Sequence, residues 1–235
     1  MKIVKPSVEL VTYTQEPERL IERMGRICYQ SNHKVKVCLG CEGRRYSDTL
    51  FNGREVNCPE CNGTGTEKSS AIAFVEMIKK NGHESVLEHA SASFSIITDR
   101  GVTHEIVRHR IAAYSQESTR FCNYGKGGFG KEITVINPFV AGVDIDTQEL
   151  WYDSLHLAEE KYLAMIDKGV SPQIARSVLP NSLKTEIGMT ANFREFRHFL
   201  RLRTSPKAHP QMREIAEMIR KELLGVSEVC FNDIP

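Results

Sequence analysis

The chain has 235 residues, of which 40% are hydrophobic and 26% are charged, and its formal net charge is +1. This length predicts one large domain, or one domain with a small module, and the composition excludes disordered, collagen-like and coiled-coil proteins. The sequence has neither an apolar run of membrane-spanning length nor a signal peptide. We therefore expect a cytoplasmic protein, and the near-neutral charge argues against a strongly basic nucleic-acid binder.

Hydrophobic periodicity predicts a mixed α+β chain. The predicted strands cover 8–12, 90–98, 133–136 and 184–192. The predicted helices begin at Pro17 and near Ser69, with others over 101–113, about 146–168, 193–203 and 208–224. Ser69 or Ser70 is expected to cap the second helix, and Asp146 or Thr147 to cap the long one.

Residues 32–68 interrupt this regular pattern. The segment is rich in Gly, Cys, Arg and Asn and contains few periodic apolar residues, which indicates an inserted module rather than a continuation of the core. The predicted main domain therefore consists of 1–31 and 69–235, and the module loops out between two of its helices.

Four of the seven cysteines form two Cys-x2-Cys pairs separated by sixteen residues: Cys38, Cys41, Cys58 and Cys61. In a reducing compartment this spacing predicts a structural zinc site, and four thiolates leave no open position for catalysis. Unbound thiols and a redox pair are the alternatives. The segment CPECNGTG also resembles the cysteine-rich repeat of DnaJ-type chaperones, which we interpret as shared zinc-knuckle geometry and not as chaperone function.

A second cluster, Arg108, His109 and Arg110, opens the segment RHRIAAYSQESTRF. On a helix the two arginines would point roughly 200° apart and could contact two anionic groups at once. Arginine is the preferred residue for bidentate phosphate contacts. For an average Arg-His-Arg triplet, a solvated basic face would be the simpler interpretation.

The wider pattern favours a functional site. An Arg-His-Arg triplet followed by seven residues and Ser118 resembles the signature of the flavin-dependent thymidylate synthases. Four further segments resemble that family in the expected order: HESVLEH, ARSVLP, NFREFRHFLRLR and AHPQMREIAEMI. The resemblance covers nearly all of the chain outside the predicted module.

The resemblance implies an α+β fold built on a twisted, mainly antiparallel sheet. It implies the conversion of dUMP to dTMP, with methylenetetrahydrofolate as carbon donor, NADPH as reductant and FAD as the source of hydride. It also implies a homotetramer whose active sites combine residues from more than one subunit. No membrane or nucleic-acid partner is expected.

The family pattern also assigns residues to ligands. The flavin positions are Ser31, His83, Ser85, Glu88, Arg108, His109, Arg110, Asn192, Arg194, His198 and His209. The dUMP positions are Glu105, Ser118, Arg120, Arg176 and Arg203. Some family members have Gln in place of Glu105 and Asn in place of His198. The resemblance also implies that His83 shapes both the flavin and the folate pocket.

Two of these residues are candidates for a direct catalytic role. Ser118 could be a nucleophile, but this would need a base within hydrogen-bond reach. The family resemblance favours direct hydride delivery, so we assign Ser118 to substrate positioning. Arg203 is the candidate for uracil activation, because a guanidinium can stabilise negative charge on the ring. A surface arginine at a helix end is the alternative.

Two other classes of protein compete with the enzyme interpretation. A zinc-ribbon nucleic-acid binder is suggested by Arg44, Arg45 and Arg54 near the cysteines, and an assembly module is suggested by the insertion itself. The near-neutral net charge weakens the first alternative. Flavin absorption by the purified protein would distinguish the enzyme from both.

Overall fold

The computed structural model describes residues 1–51 and 54–234, and the side chains of 47–51 and 54 lie outside this description. The strands are β1 (Lys2–Val4), β2 (Ser7–Tyr13), β3 (Tyr46–Phe51), β4 (Arg54–Asn57), β5 (Ser91–Asp99), β6 (Ala112–Gln116), β7 (Thr134–Ile136) and β8 (Lys184–Asn192). The α-helices are α1 (Pro17–Ile27), α2 (Lys68–Lys80), α3 (Arg100–Ile106), α4 (Ile145–Asp167), α5 (Pro172–Ala175), α6 (Phe193–Arg203), α7 (Pro210–Val226) and α8 (Glu228–Phe231). The predicted α+β class is confirmed. Within the described residues, no helix combines the length and apolar character needed to cross a membrane.

The chain forms two compact units. The first unit contains Met1–Thr12, Ser93–Ala191 and Phe199–Arg220, and the second contains Tyr13–Ala92, Asn192–His198 and Lys221–Pro235. The division of the chain into a main domain and an inserted module over 32–68 remains a prediction.

A four-stranded sheet with the order β2-β5-β8-β6 supplies the framework of the first unit. Its strands β6 and β8 are antiparallel and pair Tyr114 with Met189. Alternate residues of β8 are buried, including Thr185, Ile187 and Met189. This alternation follows from the two-residue period of a strand and explains why the sequence pattern predicted the element correctly.

An apolar core in the first unit includes the buried side of the long helix α4. It contains Tyr124, Ile133, Val135, Leu155, Tyr162, Ala175 and Leu183. The N-terminal cap of α4 is Asp144, whose carboxylate accepts a hydrogen bond of 2.8 Å from the backbone N–H of Thr147. The predicted caps, Asp146 and Thr147, are therefore wrong, because the cap lies two or three residues before them and both belong to the first turn of a helix that begins at Ile145.

Helices α1 and α2 pack against each other in the second unit. Gly25 makes this approach possible, because a Cβ atom there would lie 2.5 Å from the Phe74 ring and 2.9 Å from Val86. Helix α2 begins at Lys68 and has no side-chain cap. The prediction that Ser69 or Ser70 caps it is wrong: Ser70 lies in the first turn and donates a hydrogen bond of 2.7 Å to Glu22 of α1 instead.

Residues of the predicted module form an antiparallel hairpin of β3 and β4, which the sequence did not predict. An antiparallel bridge between Val37 and Thr66 joins the two ends of the segment. Arg19 of α1 donates to the hydroxyl of Thr64 and to the backbone carbonyl of Thr66. Segment and helix are therefore held together by hydrogen bonds. The side chain of Arg54, one of the predicted basic residues, lies outside the described residues.

A buried arginine holds the C-terminal segment of the second unit in place. The side chain of Arg197 is 1% exposed and pairs with Glu84 at 3.0 Å and with Asp233 at 2.7 Å. It also donates to the carbonyl of Cys230. Partial burial disfavours the Asp233 carboxylate, but hydrogen bonds from Arg197 and Lys79 outweigh this effect and hold the pKa of Asp233 well below its ordinary value.

Replacing Asp233 should therefore destabilise the second unit in a pH-dependent way. Because its folded-state pKa is lowered, its stabilisation is complete above the unfolded pKa of about 3.9 and is lost as the pH falls below that value. Since Asp233 is 42% exposed, solvent screening reduces the effect, and we expect Asp233→Asn to lower the free energy of unfolding by about 1–2 kcal/mol at pH 7. Thermal unfolding between pH 3 and 7 measures this difference, which should shrink at acid pH.

Asp153→Asn, on the exposed side of α4, is the matched control and should change the unfolding free energy by less than about 0.5 kcal/mol. Equal stability of Asp233→Asn and this control at pH 7 would contradict the proposed role of the ion pair.

Candidate active site and metal centre

The Arg-His-Arg triplet lies in a turn of the first unit and not on a helix. The predicted helix over 101–113 ends at Ile106, and β6 begins at Ala112. The Tyr114 hydroxyl lies 2.9 Å from the carbonyl oxygen of Ile106 and 2.8 Å from that of His109. These contacts engage carbonyls at and just after the end of α3, so a side chain from β6 takes the place of the last predicted helical turns.

Three predicted site residues, Glu105 of α3, His109 of the turn and Arg203 of α6, are in contact here. The Nε–H of Arg203 donates to Nε2 of His109 at 3.1 Å. The two terminal nitrogens of the same guanidinium contact the Glu105 carboxylate at 2.7 Å and the Glu105 carbonyl oxygen at 3.1 Å. His109 is 4% exposed and packs edge-on against Phe199 at 4.8 Å between ring centroids. The arginine is therefore fixed in one orientation and still has free N–H donors.

Glu105 was predicted to contact dUMP, and the structure shows it paired with Arg203. The carboxylate is 34% exposed and the arginine side chain is 19% exposed, so this ion pair is largely shielded from water. A carboxylate at this position repels phosphate but orients the guanidinium. The substrate contact of Glu105 remains a prediction.

A cation-lined cavity of about 500 Å³ also belongs to the first unit. Its wall includes Arg176, which donates a hydrogen bond of 3.1 Å to the Thr119 hydroxyl. Arg176 is thereby joined to the signature segment between Ser118 and Arg120, both of which were predicted to bind substrate. Arg120 is exposed and lies over the Phe121 ring.

Two further basic residues of this cavity, Arg100 and His104, were not singled out from the sequence. Arg100 begins α3, where a cation is unfavourable because the N-terminal end of a helix carries partial positive charge. An arginine at the start of a predicted helix was therefore the feature of the sequence that could have identified this cavity. Three basic side chains around one cavity provide a site for an anion such as a phosphate.

Ser118 has no base bound to its hydroxyl. Across residues 1–51 and 54–234, its side-chain oxygen takes part in one hydrogen bond, accepted from the Arg120 backbone N–H at 3.3 Å. A serine nucleophile needs an adjacent general base. The hydrogen bond found here instead holds the backbone of Arg120 close to the side chain of Ser118.

In the second unit, the predicted flavin residues Ser31 and His83 line one groove of about 700 Å³. We call this the base groove and define it by Ser31, Lys34, Lys36, Phe74 and His83. The turn after α1 supplies Ser31 and the turn after α2 supplies His83, so the packing of the two helices brings them together.

Other predicted flavin residues lie on neighbouring elements. Arg194 and Glu88 form an exposed ion pair, and Asn192 accepts a hydrogen bond of 2.8 Å from the backbone N–H of Glu195 at the start of α6. Ser85 and His198 are exposed on separate elements of the second unit, and His209 is exposed in the first unit. Arg108 and Arg110 are exposed on either side of buried His109.

The four paired cysteines form a compact, buried cluster, with all sulfurs within 4.8 Å of one another. The Sγ atoms of Cys38 and Cys58 are 3.9 Å apart, and those of Cys41 and Cys61 are 3.6 Å apart. Zinc–sulfur bonds of about 2.3 Å in a tetrahedron place the sulfurs about 3.8 Å apart. The arrangement therefore has the size and donor set of a tetrahedral zinc site.

The environment also favours ionisation within the cluster. Burial disfavours the Cys61 thiolate, but the Gly65 N–H, at 3.2 Å, and the neighbouring thiols outweigh this effect and lower the pKa of Cys61 to about 6. Burial raises the pKa of Cys38 to about 12. In the absence of a cation, the cluster therefore favours one thiolate and resists forming several. A divalent metal ion would stabilise several thiolates at once, because its positive charge offsets their mutual repulsion.

A guanidinium held by His109 and Glu105, a cavity lined by basic side chains and, in the other unit, a groove of about 700 Å³ are features typical of an enzyme that binds anionic ligands such as nucleotides. A family profile for thymidylate synthase complementing proteins matches residues 9–227. The chain is 30% identical over 227 residues to the flavin-dependent thymidylate synthase of Geobacter sulfurreducens, covering 96% of this chain and 85% of the relative.

Two further relatives carry the same name. The Mycolicibacterium gilvum protein is 30% identical over 242 residues, covering 97% of this chain and 84% of the relative. The Pyrococcus furiosus protein is 38% identical over 143 residues, covering 60% of this chain and 58% of the relative. The chain therefore belongs to the flavin-dependent thymidylate synthase family.

Proposed function

We propose that the protein catalyses the reductive methylation of dUMP to dTMP, with methylenetetrahydrofolate as carbon donor, FAD as cofactor and NADPH as reductant. Membership of the family supports this proposal. The structural observation that carries it is the contact of Arg203 with His109 and Glu105, because it holds a guanidinium ready for a substrate that develops negative charge.

Release of tritium from dUMP labelled at ring carbon 5 tests this function. Replacement of the C5 hydrogen by carbon should release the label only when both folate and NADPH are present. Omission of either provides the control. No release from the complete mixture, by a folded protein with bound flavin, would contradict the proposal.

The residues of the base groove fit a flavin dinucleotide. Tyr29 and Met77 offer exposed apolar surface for a planar ring, while Ser31 and His83 offer polar groups. When bound, reduced flavin would supply the hydride that converts the transferred carbon to a methyl group, with NADPH as the source of electrons. Arg108 and Arg110 of the first unit are exposed cations that the family resemblance assigns to the flavin.

Arg203 would activate the uracil ring. Its Nε–H donates to Nε2 of His109, which fixes the direction of the guanidinium. Glu105 holds the other side of the guanidinium. The free N–H groups of Arg203 would donate to the uracil carbonyl and stabilise the charge that develops on the ring.

Ser118 would position dUMP rather than attack it. We expect Ser118→Ala to raise the dissociation constant of dUMP about tenfold, the usual effect of losing one hydrogen bond to a charged group, while turnover remains measurable. Equilibrium binding and saturating turnover rates test this. Ser154→Ala, on exposed α4, is the control. Loss of all turnover with unchanged dUMP affinity would support a nucleophile instead.

For the cysteine cluster we propose one structural zinc per chain, bound by Cys38, Cys41, Cys58 and Cys61. The sulfur distances and the burial support this assignment. A catalytic role is disfavoured because four thiolates complete the tetrahedron. The module over 32–68 would then be held together by metal rather than by an apolar core.

We further propose a cytoplasmic homotetramer in which each active site combines residues from more than one subunit. The family resemblance supports both statements. Light scattering during size-exclusion chromatography measures the oligomeric state, and a monomer under assay conditions would contradict it. Partners other than dUMP, folate and the cofactors are not expected.

A further inference from the structure

We propose that the base groove binds the phosphate groups of an adenine dinucleotide, and that Lys34 and Lys36 of the module supply the positive charge. This inference rests on the proposed function, which requires two such dinucleotides, FAD and NADPH. It adds residues that the family pattern does not assign, because both lysines lie in the segment that departs from that pattern.

The charge of the groove favours an anion. Its lining includes Arg26, Lys34 and Lys36 and, within the described residues, no carboxylate. The Arg26 guanidinium is already neutralised by Glu22 at 2.7 Å. The two lysines are exposed, and neither forms an ion pair with any residue in the described part of the chain. The net positive charge therefore rests on Lys34 and Lys36.

A polar side chain also lines the groove. Ser31 is 8% exposed, and within residues 1–51 and 54–234 its hydroxyl forms no hydrogen bond. This hydroxyl can therefore donate to or accept from a ligand in the groove. Ser31 lies three residues before Lys34, which places one donor and one cation at the same edge of the groove.

The position of Lys36 is fixed by helix α2. Its backbone N–H lies 3.5 Å from the Ser70 hydroxyl, which in turn donates to Glu22. The neighbouring carbonyl of Lys36 accepts a hydrogen bond of 2.9 Å from Glu67. The backbone that carries the lysine is therefore attached to the same helix that forms the groove floor.

The remaining surface suits the rest of an adenine nucleotide. Met77, which is 41% exposed, adds apolar surface, and Tyr29, which is 67% exposed, offers an aromatic face. A volume of about 700 Å³ fits a nucleotide-sized ligand. Phosphate at the lysines and a planar base over Tyr29 would occupy both chemical regions.

The double variant Lys34→Gln/Lys36→Gln tests the proposal, with Lys80→Gln as matched control because Lys80 is exposed at the far end of α2 and outside the groove. Dissociation constants for FAD, riboflavin, NADPH and methylenetetrahydrofolate are measured at low and high salt. We expect the double variant to weaken one dinucleotide about tenfold at low salt and less at high salt. Riboflavin, which lacks phosphate, should bind as in the wild type.

The two dinucleotides are distinguished by which constant moves. A loss confined to FAD assigns the groove to the flavin diphosphate, and a loss confined to NADPH assigns it to the reductant. The charge-conserving variant Lys34→Arg/Lys36→Arg should retain affinity. Unchanged zinc content and thermal unfolding confirm that the variants are folded.

Three results would overturn the proposal: unchanged affinity for both dinucleotides, an equal loss of riboflavin binding, or a loss confined to the folate. The first means that the lysines are solvated surface, the second means deformation of the groove, and the third means recognition of carboxylates. A wild-type protein that binds no FAD would instead contradict the proposed function itself, so the two failures can be told apart.

Discussion

Arg203→Ala is expected to lower kcat by a factor of about 10² to 10³, the usual cost of removing a donor that stabilises developing charge. The affinity for dUMP should fall much less, because the lost interaction strengthens only as charge appears on the ring. Saturating turnover rates and equilibrium dUMP binding separate the two effects.

Two variants serve as controls for this result. Arg201→Ala removes an exposed arginine from the same helix, α6, and should retain most activity. Arg203→Lys keeps the charge but loses the fork that contacts His109 and Glu105 together, so its kcat should remain well below that of the wild type. If Arg203→Ala retained kcat within a few-fold of the wild type, the arginine would have no role in activation.

Cys58→Ser should reduce the zinc content from one ion per chain to none. Because the module has few apolar residues and its buried cluster consists of cysteines, loss of the metal should unfold it locally. Limited proteolysis should then cut within 32–68, while turnover at saturating FAD largely survives. Metal analysis and proteolysis of the purified variant measure both effects.

The control is Cys28→Ser, since Cys28 is exposed and lies outside the cluster. It should keep the zinc and the protease resistance of the wild type. Absence of zinc from the wild type would exclude the metal site. Complete loss of turnover by Cys58→Ser in an otherwise folded enzyme would exclude a purely structural role.

The sequence predicted elements well where periodicity is local. Strand β8 alternates buried and exposed residues over its whole length, and helix α6 has the predicted bounds. The predicted end of α3 was wrong because hydrophobic periodicity does not register side-chain contacts with the backbone. The Tyr114 hydroxyl of β6 lies within hydrogen-bond distance of the carbonyls of Ile106 and His109, and this contact favours a turn where the residue pattern favours a helix.

For the candidate site, the sequence identified residues but not the contacts between them. Motif spacing identified Glu105, His109 and Arg203, but only the fold shows that Arg203 contacts both of the others across more than ninety residues of chain. The cysteine spacing predicted the cluster, because Cys-x2-Cys turns are local. The hairpin between the pairs was missed, since its strands lack clear alternation.

The bridge between Val37 and Thr66 has an evolutionary consequence. The segment leaves and rejoins the chain at this one backbone pair, and the Cys38 N–H also donates to the Gly65 carbonyl at 3.0 Å. A single genetic insertion or deletion at the bridge can therefore add or remove the segment without shifting the register of any strand in the four-stranded sheet. The same geometry makes the bridge between Val37 and Thr66 a suitable point for grafting a foreign metal-binding loop onto the enzyme.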